Sequence, residues 1–177
     1  DYQAFRDVGL RGLTVEGAER PGARDRNGAR NALFADLLVT TGLRLEEASF
    51  LLAAEIPVGD ARAERQRRVE LPAALTKGDR GRTILLPRRL LSAFDAYMAV
   101  ERASAVSKFT ARRGWDAIER PIFIHRPPLL PTVMHLVGGG TMDMEVVTPD
   151  ERARFVICAD DGTPCEAAVL WLTEVGH

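Results

Sequence analysis

Residues 66–87, which read QRRVELPAALTKGDRGRTILLP, contain two short runs, 66–72 and 82–87, that are typical of β-strands. The nine residues between the runs include two glycines, which favour a turn. The stretch therefore predicts a β-hairpin, with Lys77 near its tip or on the strand that enters it.

Helical spacing of apolar residues flanks this hairpin on both sides. It predicts a helix over 27–41, with Asn27 as the N-cap and Gly42 as its stop. A second helix of two or three turns is expected to begin near Leu45 and to end before Pro57. On the other side of the hairpin, the amphipathic spacing of 88–105 predicts one long helix.

After Pro121 the pattern becomes typical of strands. The segment 122–125 predicts one short strand, and 132–137 with 141–147 predict a second hairpin around three glycines. Alternation in the latter places Met142, Met144 and Val146 on one side of the strand.

A third hairpin is predicted at Asp161-Gly162, because Asp-Gly favours a two-residue turn. A turn of that length would place Cys158 directly opposite Cys165. Two interpretations of this pair remain open: buried thiols in a reducing cell, or a redox pair.

These elements predict an α+β fold that is mainly helical, with a small antiparallel sheet and a β-rich insertion at 121–172. Residues 1–26, rich in Gly, Arg and Asp, are interpreted as a linker or entry segment. Residues 27–177 then form one domain, and the start at Asp1 suggests that the chain is a piece of a longer protein.

The net charge of −1 conceals a strong asymmetry along the chain. Residues 71–126 carry 11 Lys/Arg and 5 Asp/Glu, a net of +6, whereas residues 127–177 carry 2 and 8, a net of −6. A basic middle segment favours a polyanionic partner such as DNA. No apolar run approaches the roughly 18 residues that a membrane helix needs, and no secretion signal is visible, so a cytoplasmic location is expected.

Arg44 follows the helix-stopping Gly42 and begins the next predicted helix. A bidentate guanidinium beside helix N-terminal amides can bind a phosphate oxygen. Glu47, one helical turn later, can hold that guanidinium in place. The alternative is a surface ion pair of little consequence.

Lys77 lies on a glycine-rich link, where its ammonium can reach DNA and act as a general acid toward a leaving alkoxide. The neighbouring arginines of this basic stretch are expected to contact backbone phosphates. They are Arg80, Arg82, Arg88 and Arg89.

Together the two segments resemble the tyrosine recombinase (phage integrase) family. Its first arginine box, T-G-L-R-x-x-E-A, is matched over 41–48, and its hairpin lysine string, K-G-x-x-x-R-x-I-x-L-P, is matched over 77–87. The resemblance covers about residues 27–105, and the stretch 167–172 is similar in style to the segment before the second box.

The resemblance implies site-specific recombination or integration of DNA through a phosphotyrosyl intermediate, without metal or cofactor. It makes Arg44 a clamp for the scissile phosphate, Glu47 its orienting carboxylate and Lys77 the general acid. It also implies that the full-length protein acts on double-stranded DNA as a homo-oligomer.

The family's His-x-x-Arg box has no counterpart in this chain. Of the two tyrosines, Tyr2 precedes the domain and Tyr97 lies within an amphipathic helix, where it is expected in the core. The chain by itself is therefore expected to be inactive. Two other classes remain open: a non-catalytic DNA-binding or regulatory domain that retains the fold, and a metal-dependent nuclease built on the acidic tail.

Overall fold

The structure is a computed structural model of an α+β protein. It describes residues 1–19, 27–59, 65–78 and 80–173. Three parts of the sequence predictions lie outside these residues: 20–26 of the entry segment, Asp79 of the lysine loop, and Gly176.

The α-helices are, in chain order, α1 (Tyr2–Ala4), α2 (Gly28–Thr41), α3 (Leu45–Ser49), α4 (Arg88–Tyr97), α5 (Ala103–Ala111) and α6 (Pro149–Ala153). π-Helical turns follow α1 and α4, at Phe5–Leu10 and Met98–Arg102. Single 3-10 turns lie at Ala53–Glu55, Ala73–Leu75 and Gly114–Ala117. No described helix is long and apolar enough to cross a membrane.

The strands are β1 (Gln66–Leu71), β2 (Arg82–Pro87), β3 (Ile122–His125), β4 (Val133–His135), β5 (Thr141–Asp143), β6 (Phe155–Cys158) and β7 (Pro164–Ala167). They form two antiparallel pairs, β1-β2 and β4-β5, and a three-stranded sheet in the order β3-β6-β7. In that sheet β3 and β6 run parallel, an arrangement that the sequence did not predict.

The predicted lysine hairpin is confirmed, since β1 and β2 pair antiparallel with Val69 opposite Ile84. Successive strand residues face opposite sides. The inward side carries Val69, Leu71, Ile84 and Leu86, which are buried in one core with the apolar faces of α2 and α4. This shared core fixes the hairpin against the helices.

The first predicted helix is confirmed as α2, which ends where Gly42 adopts a left-handed φ of 68°. The second is shorter than predicted: α3 has five residues and ends at Ser49, well before Pro57. The backbone is extended at Leu52, and a separate 3-10 turn follows. Buried Leu51 and Leu52 mimicked helical spacing, but their backbones bond to the segment around Val169 instead.

The long helix predicted over 88–105 is present and continues to Ala111 with a π-helical turn in its middle. Arg102 in that turn is 5% exposed. Its guanidinium pairs with Glu166 and donates to the carbonyls of Ala167, Val169 and Leu170. The arginine thereby ties the helix to the chain that follows β7.

The β-rich segment 121–172 packs directly on the helical part. Leu52 lies in its core beside Ile124 and Phe155. Arg152 is fully buried and pairs through Nη1 with both carboxylate oxygens of Glu55, at 2.8 and 2.9 Å.

Two predictions in this segment are wrong. Cys158 pairs with Pro164, not with Cys165, because a bulge shifts the register between β6 and β7. Both thiols are free, and burial raises the pKa of each. Val146 is 69% exposed and does not share a buried side with Met144, since β5 ends at Asp143 and the chain turns.

The entry segment is helical over residues 2–10, which its weak periodicity did not predict. One of its contacts with α2 is made to a carboxylate. Asp36 accepts a hydrogen bond from the Tyr2 hydroxyl at 2.6 Å and from Arg6 Nη1 at 3.4 Å.

Candidate functional site

Arg44 occupies the turn between α2 and α3. Gly42 reverses the chain with its positive φ, and Arg44 is the extended residue before α3, with φ −72° and ψ 155°. Its backbone N–H would be unpaired at a helix start, but it donates to Glu47 Oε2 at 2.8 Å. The backbone conformation of Arg44 is therefore fixed by a side chain of its own helix.

Glu47 is the centre of the site. Its side chain is 2% exposed, and Oε1 also accepts from Arg44 Nη1 at 3.1 Å. Oε2 accepts in addition from Arg82 Nη2 at 2.5 Å. Because Arg82 begins β2, this carboxylate joins the Arg44 turn to the lysine hairpin across 35 residues of sequence.

The three charged groups leave the site positive, with two guanidinium groups against one carboxylate. The Arg44 side chain is 56% exposed, and its remaining N–H groups can donate to an anion from solvent. Arg82 is more enclosed, and its Nε is buried without an acceptor among the described residues. A phosphate oxygen would therefore be met first by Arg44, while Arg82 holds the carboxylate behind it.

Lys77 lies on the loop that follows the 3-10 turn, with its side chain exposed. The residue before it anchors the loop. Thr76 is 7% exposed, and its hydroxyl lies 2.6 Å from the Arg80 carbonyl and 3.0 Å from the Ala73 carbonyl. Within the described part of the chain, no hydrogen bond or ion pair engages the Lys77 ammonium.

The other predicted phosphate contacts are spread along the hairpin. Arg80, Arg88 and Arg89 are exposed. The two consecutive arginines begin α4, and Arg89 Nη2 lies 3.4 Å from the Thr40 hydroxyl near the end of α2. The structure thus brings Arg44, Glu47 and Arg82 into contact, whereas Arg80, Arg88 and Arg89 are exposed.

Neither tyrosine hydroxyl contacts Arg44 or Lys77. Tyr97 is 3% exposed, and its hydroxyl donates to the Leu170 carbonyl and accepts from Leu172 N. Burial raises its pKa, so it remains a neutral phenol in the core. The Tyr2 hydroxyl donates to the Asp36 carboxylate on α2.

The two histidines that the structure describes lie at strand ends. His125 and His135 end β3 and β4 with exposed side chains. Among the described residues, no group of three His, Cys, Asp or Glu side chains could hold a metal ion.

Two contacts of the site were not predicted from sequence. Arg82 was assigned to phosphate, although it lies on the same strand face as the buried Ile84 and Leu86, where a cation needs a carboxylate. The alternation of residues along this strand could therefore have predicted a carboxylate partner for Arg82. The second contact joins Glu145 to the lysine loop from 72 residues away, and no local pattern indicates it.

No protein-family model, curated protein or solved structure gives a significant match to this chain. The resemblance to tyrosine recombinases therefore rests on the two sequence motifs alone.

Proposed function

We propose that this chain is part of the catalytic region of a tyrosine-type site-specific DNA recombinase or integrase. The observation that carries the proposal is the buried Glu47 carboxylate, which holds Arg44 and the first residue of β2 together. Two motifs that were matched separately in the sequence thus meet at one carboxylate, beside an exposed lysine loop. The free guanidinium donors of Arg44 and the exposed lysine support a site that binds phosphate.

In the proposed reaction, a tyrosine oxygen attacks a backbone phosphorus and the bond to the 5′ oxygen breaks. The tyrosine proton passes to water, and the leaving 5′ oxygen gains a proton from the Lys77 ammonium, which becomes a neutral amine. Arg44 donates to the non-bridging oxygens, where negative charge increases in the transition state. Because the hydroxyls of Tyr2 and Tyr97 are engaged elsewhere, the nucleophile of this reaction is a different tyrosine.

The proposed substrate is duplex DNA in the cytoplasm, bound by a homo-oligomer of the full-length protein. The basic residues around the site, Arg80, Arg88 and Arg89, would contact backbone phosphates on either side of the scissile one. Affinity should therefore decrease steeply as salt rises.

The test uses the full-length protein and a nicked duplex that traps the covalent adduct. Arg44→Ala should lower the cleavage rate by about 100-fold or more, because it removes charge stabilisation needed in the transition state. Lys77→Ala should slow cleavage of ordinary DNA by about 100-fold. The cleavage rate of this variant should recover on a 5′-bridging phosphorothiolate substrate, because the thiolate leaving group needs no proton. Arg113→Ala is the matched control, since that side chain is 70% exposed and pairs with the nearby Asp116.

Wild-type cleavage rates for both variants would overturn the assignment. A second candidate, a DNA-binding domain without chemistry, is favoured by the engagement of both tyrosines in other contacts. It predicts salt-sensitive duplex binding that Arg44→Ala weakens only slightly, with no covalent adduct from the wild-type protein.

A further inference from the structure

The β-rich segment contacts the start of the lysine loop through Glu145. Its carboxylate Oε2 accepts from Ala73 N at 3.2 Å, and its backbone carbonyl accepts from Ala74 N at 3.2 Å. Ala73 and Ala74 begin the 3-10 turn Ala73–Leu75, so their N–H groups have no partner inside that turn. Glu145 therefore caps the turn from a distant part of the chain.

The capped turn leads directly to Lys77. Leu75 is buried in the core shared with the helices, and Thr76 follows it with its hydroxyl bonded back across the loop. Lys77 is the next residue and the first exposed one. Its backbone position is thus set by the 3-10 turn, and the turn is set in part by Glu145.

The returning side of the loop passes the same carboxylate. A Cβ on Gly81 would lie 3.0 Å from the Leu71 carbonyl and 3.9 Å from Glu145 Oε2, so the backbone approaches closely here. Glu145 is itself held, because its N–H donates to Asp143 Oδ1 at 2.9 Å. Both ends of the loop are therefore packed against an ordered turn of the β-rich segment.

We propose that Glu145 is a positioning residue for Lys77. The segment 121–172 holds the lysine loop in the position from which the Lys77 ammonium reaches the leaving oxygen. This inference rests on the proposed function for its chemical consequence, but the bracing contact itself can be measured without any reaction. A small displacement of a proton donor has a large effect on rate, since general acid catalysis requires hydrogen-bond distance to the leaving atom.

The first test is amide hydrogen exchange of the protein without DNA. Glu145→Ala should raise the exchange rate of the Ala73 amide by about tenfold, because its acceptor is lost. The Ala74 amide should change little, since its acceptor is the backbone carbonyl of residue 145. Glu145→Gln keeps an acceptor oxygen and should leave both amides near the wild-type rate. Unchanged exchange at Ala73 in the alanine variant would overturn the proposal.

The second test measures cleavage with the full-length protein. Glu145→Ala should slow cleavage of ordinary DNA by about tenfold and should match wild type on the phosphorothiolate substrate, which needs no general acid. Adding Glu145→Ala to Lys77→Ala should cost nothing further, because the two residues act at one step. Glu119→Ala, at an 89% exposed side chain, is the control.

The two tests distinguish failure of the positioning role of Glu145 from failure of the proposed function. An equal loss on both substrates would mean that Glu145 has only a general structural role, and the positioning proposal would be overturned. If Lys77→Ala itself has no effect on ordinary DNA, the proposed function fails, whereas the exchange result still decides whether Glu145 braces the loop.

Discussion

Replacing Glu47 by alanine tests the geometry of the site through the free energy of unfolding. The carboxylate is 2% exposed and accepts hydrogen bonds from Arg44 N, Arg44 Nη1 and Arg82 Nη2. All three donors lose their acceptor in the variant. The cost of each depends on how easily water can replace the carboxylate.

The individual costs follow from exposure. The Arg44 guanidinium is 56% exposed, so water replaces its partner and the loss is about 0.5 kcal/mol. The Arg44 N–H is a lost helix cap, worth about 1 kcal/mol. Arg82 is 38% exposed and partly enclosed, which gives about 1.5 kcal/mol for a charge-assisted bond. Glu47→Ala should therefore destabilise the protein by about 3 kcal/mol.

Glu47→Gln separates the cap from the charge. Its amide oxygen can still accept from Arg44 N, but the ionic attraction to both guanidinium groups is lost. The expected destabilisation is about 1.5 kcal/mol, half of that of the alanine variant. Glu46→Ala is the control, because that neighbouring side chain is exposed and should change stability by about 0.5 kcal/mol or less.

Urea unfolding followed by circular dichroism measures all three variants. With an m-value of about 2 kcal/mol/M, the alanine variant should move the midpoint down by about 1.5 M and the glutamine variant by about 0.7 M. If Glu47→Ala shifts the midpoint no more than Glu46→Ala does, Glu47 is not the buried junction described above.

Two further predictions concern other parts of the molecule. Gly114→Ala should destabilise the protein by about 1–3 kcal/mol in thermal unfolding, because the new Cβ would lie 2.2 Å from the Phe109 ring. Gly9→Ala, whose nearest atom is 3.8 Å away, should not destabilise it, and similar losses in both would contradict the packing. Burial and the hydrogen bond to Asp36 raise the pKa of Tyr2 to about 12. The neutral phenol is favoured in the folded state, so this stability is present below pH 10 and is lost as pH rises from about 10 to 12. Tyrosinate absorbance should show the late titration, and Asp36→Asn should lower that pKa only in part, since burial remains; a wild-type Tyr2 that titrates near 10 would refute the contact.

The parts of the fold predicted from sequence depend on neighbouring residues. The helix stop at Gly42 follows from one residue's freedom at positive φ, and the lysine hairpin follows from two strand-like runs around a short link. The pair of Arg44 and Glu47 follows from one turn of helix. Each of these signals lies within a few residues of the feature that it predicts.

The parts that were missed depend on contacts between distant residues. Pairing of β3 with β6 places Ile122 beside Phe155, and local alternation carries no information about which strands become neighbours. The register of Cys158 was wrong because a bulge adds a residue that a turn motif does not reveal. Burial of Arg152 was also unforeseen, since its partner Glu55 is 97 residues away.

Contacts between distant residues also join the segment 121–172 to the part of the chain that follows Arg44. Near the end of α3, the helix that follows Arg44, the Ala48 carbonyl accepts a hydrogen bond from Trp171 Nε1 at 2.8 Å. The chain just beyond it is held by the pairing of Ala53 N with the Ala168 carbonyl. The arginine turn thus rests on the same segment that caps the lysine loop.

One segment therefore contacts both halves of the candidate site, through the hydrogen bond of Trp171 to Ala48 and the hydrogen bond of Ala73 to Glu145. Catalytic groups need to be held within a fraction of an ångström, and rigid support from packed neighbours provides that precision. We infer that the β-rich segment is part of the scaffold of the candidate site, because it makes hydrogen bonds both to the helix that follows Arg44 and to the turn that precedes Lys77.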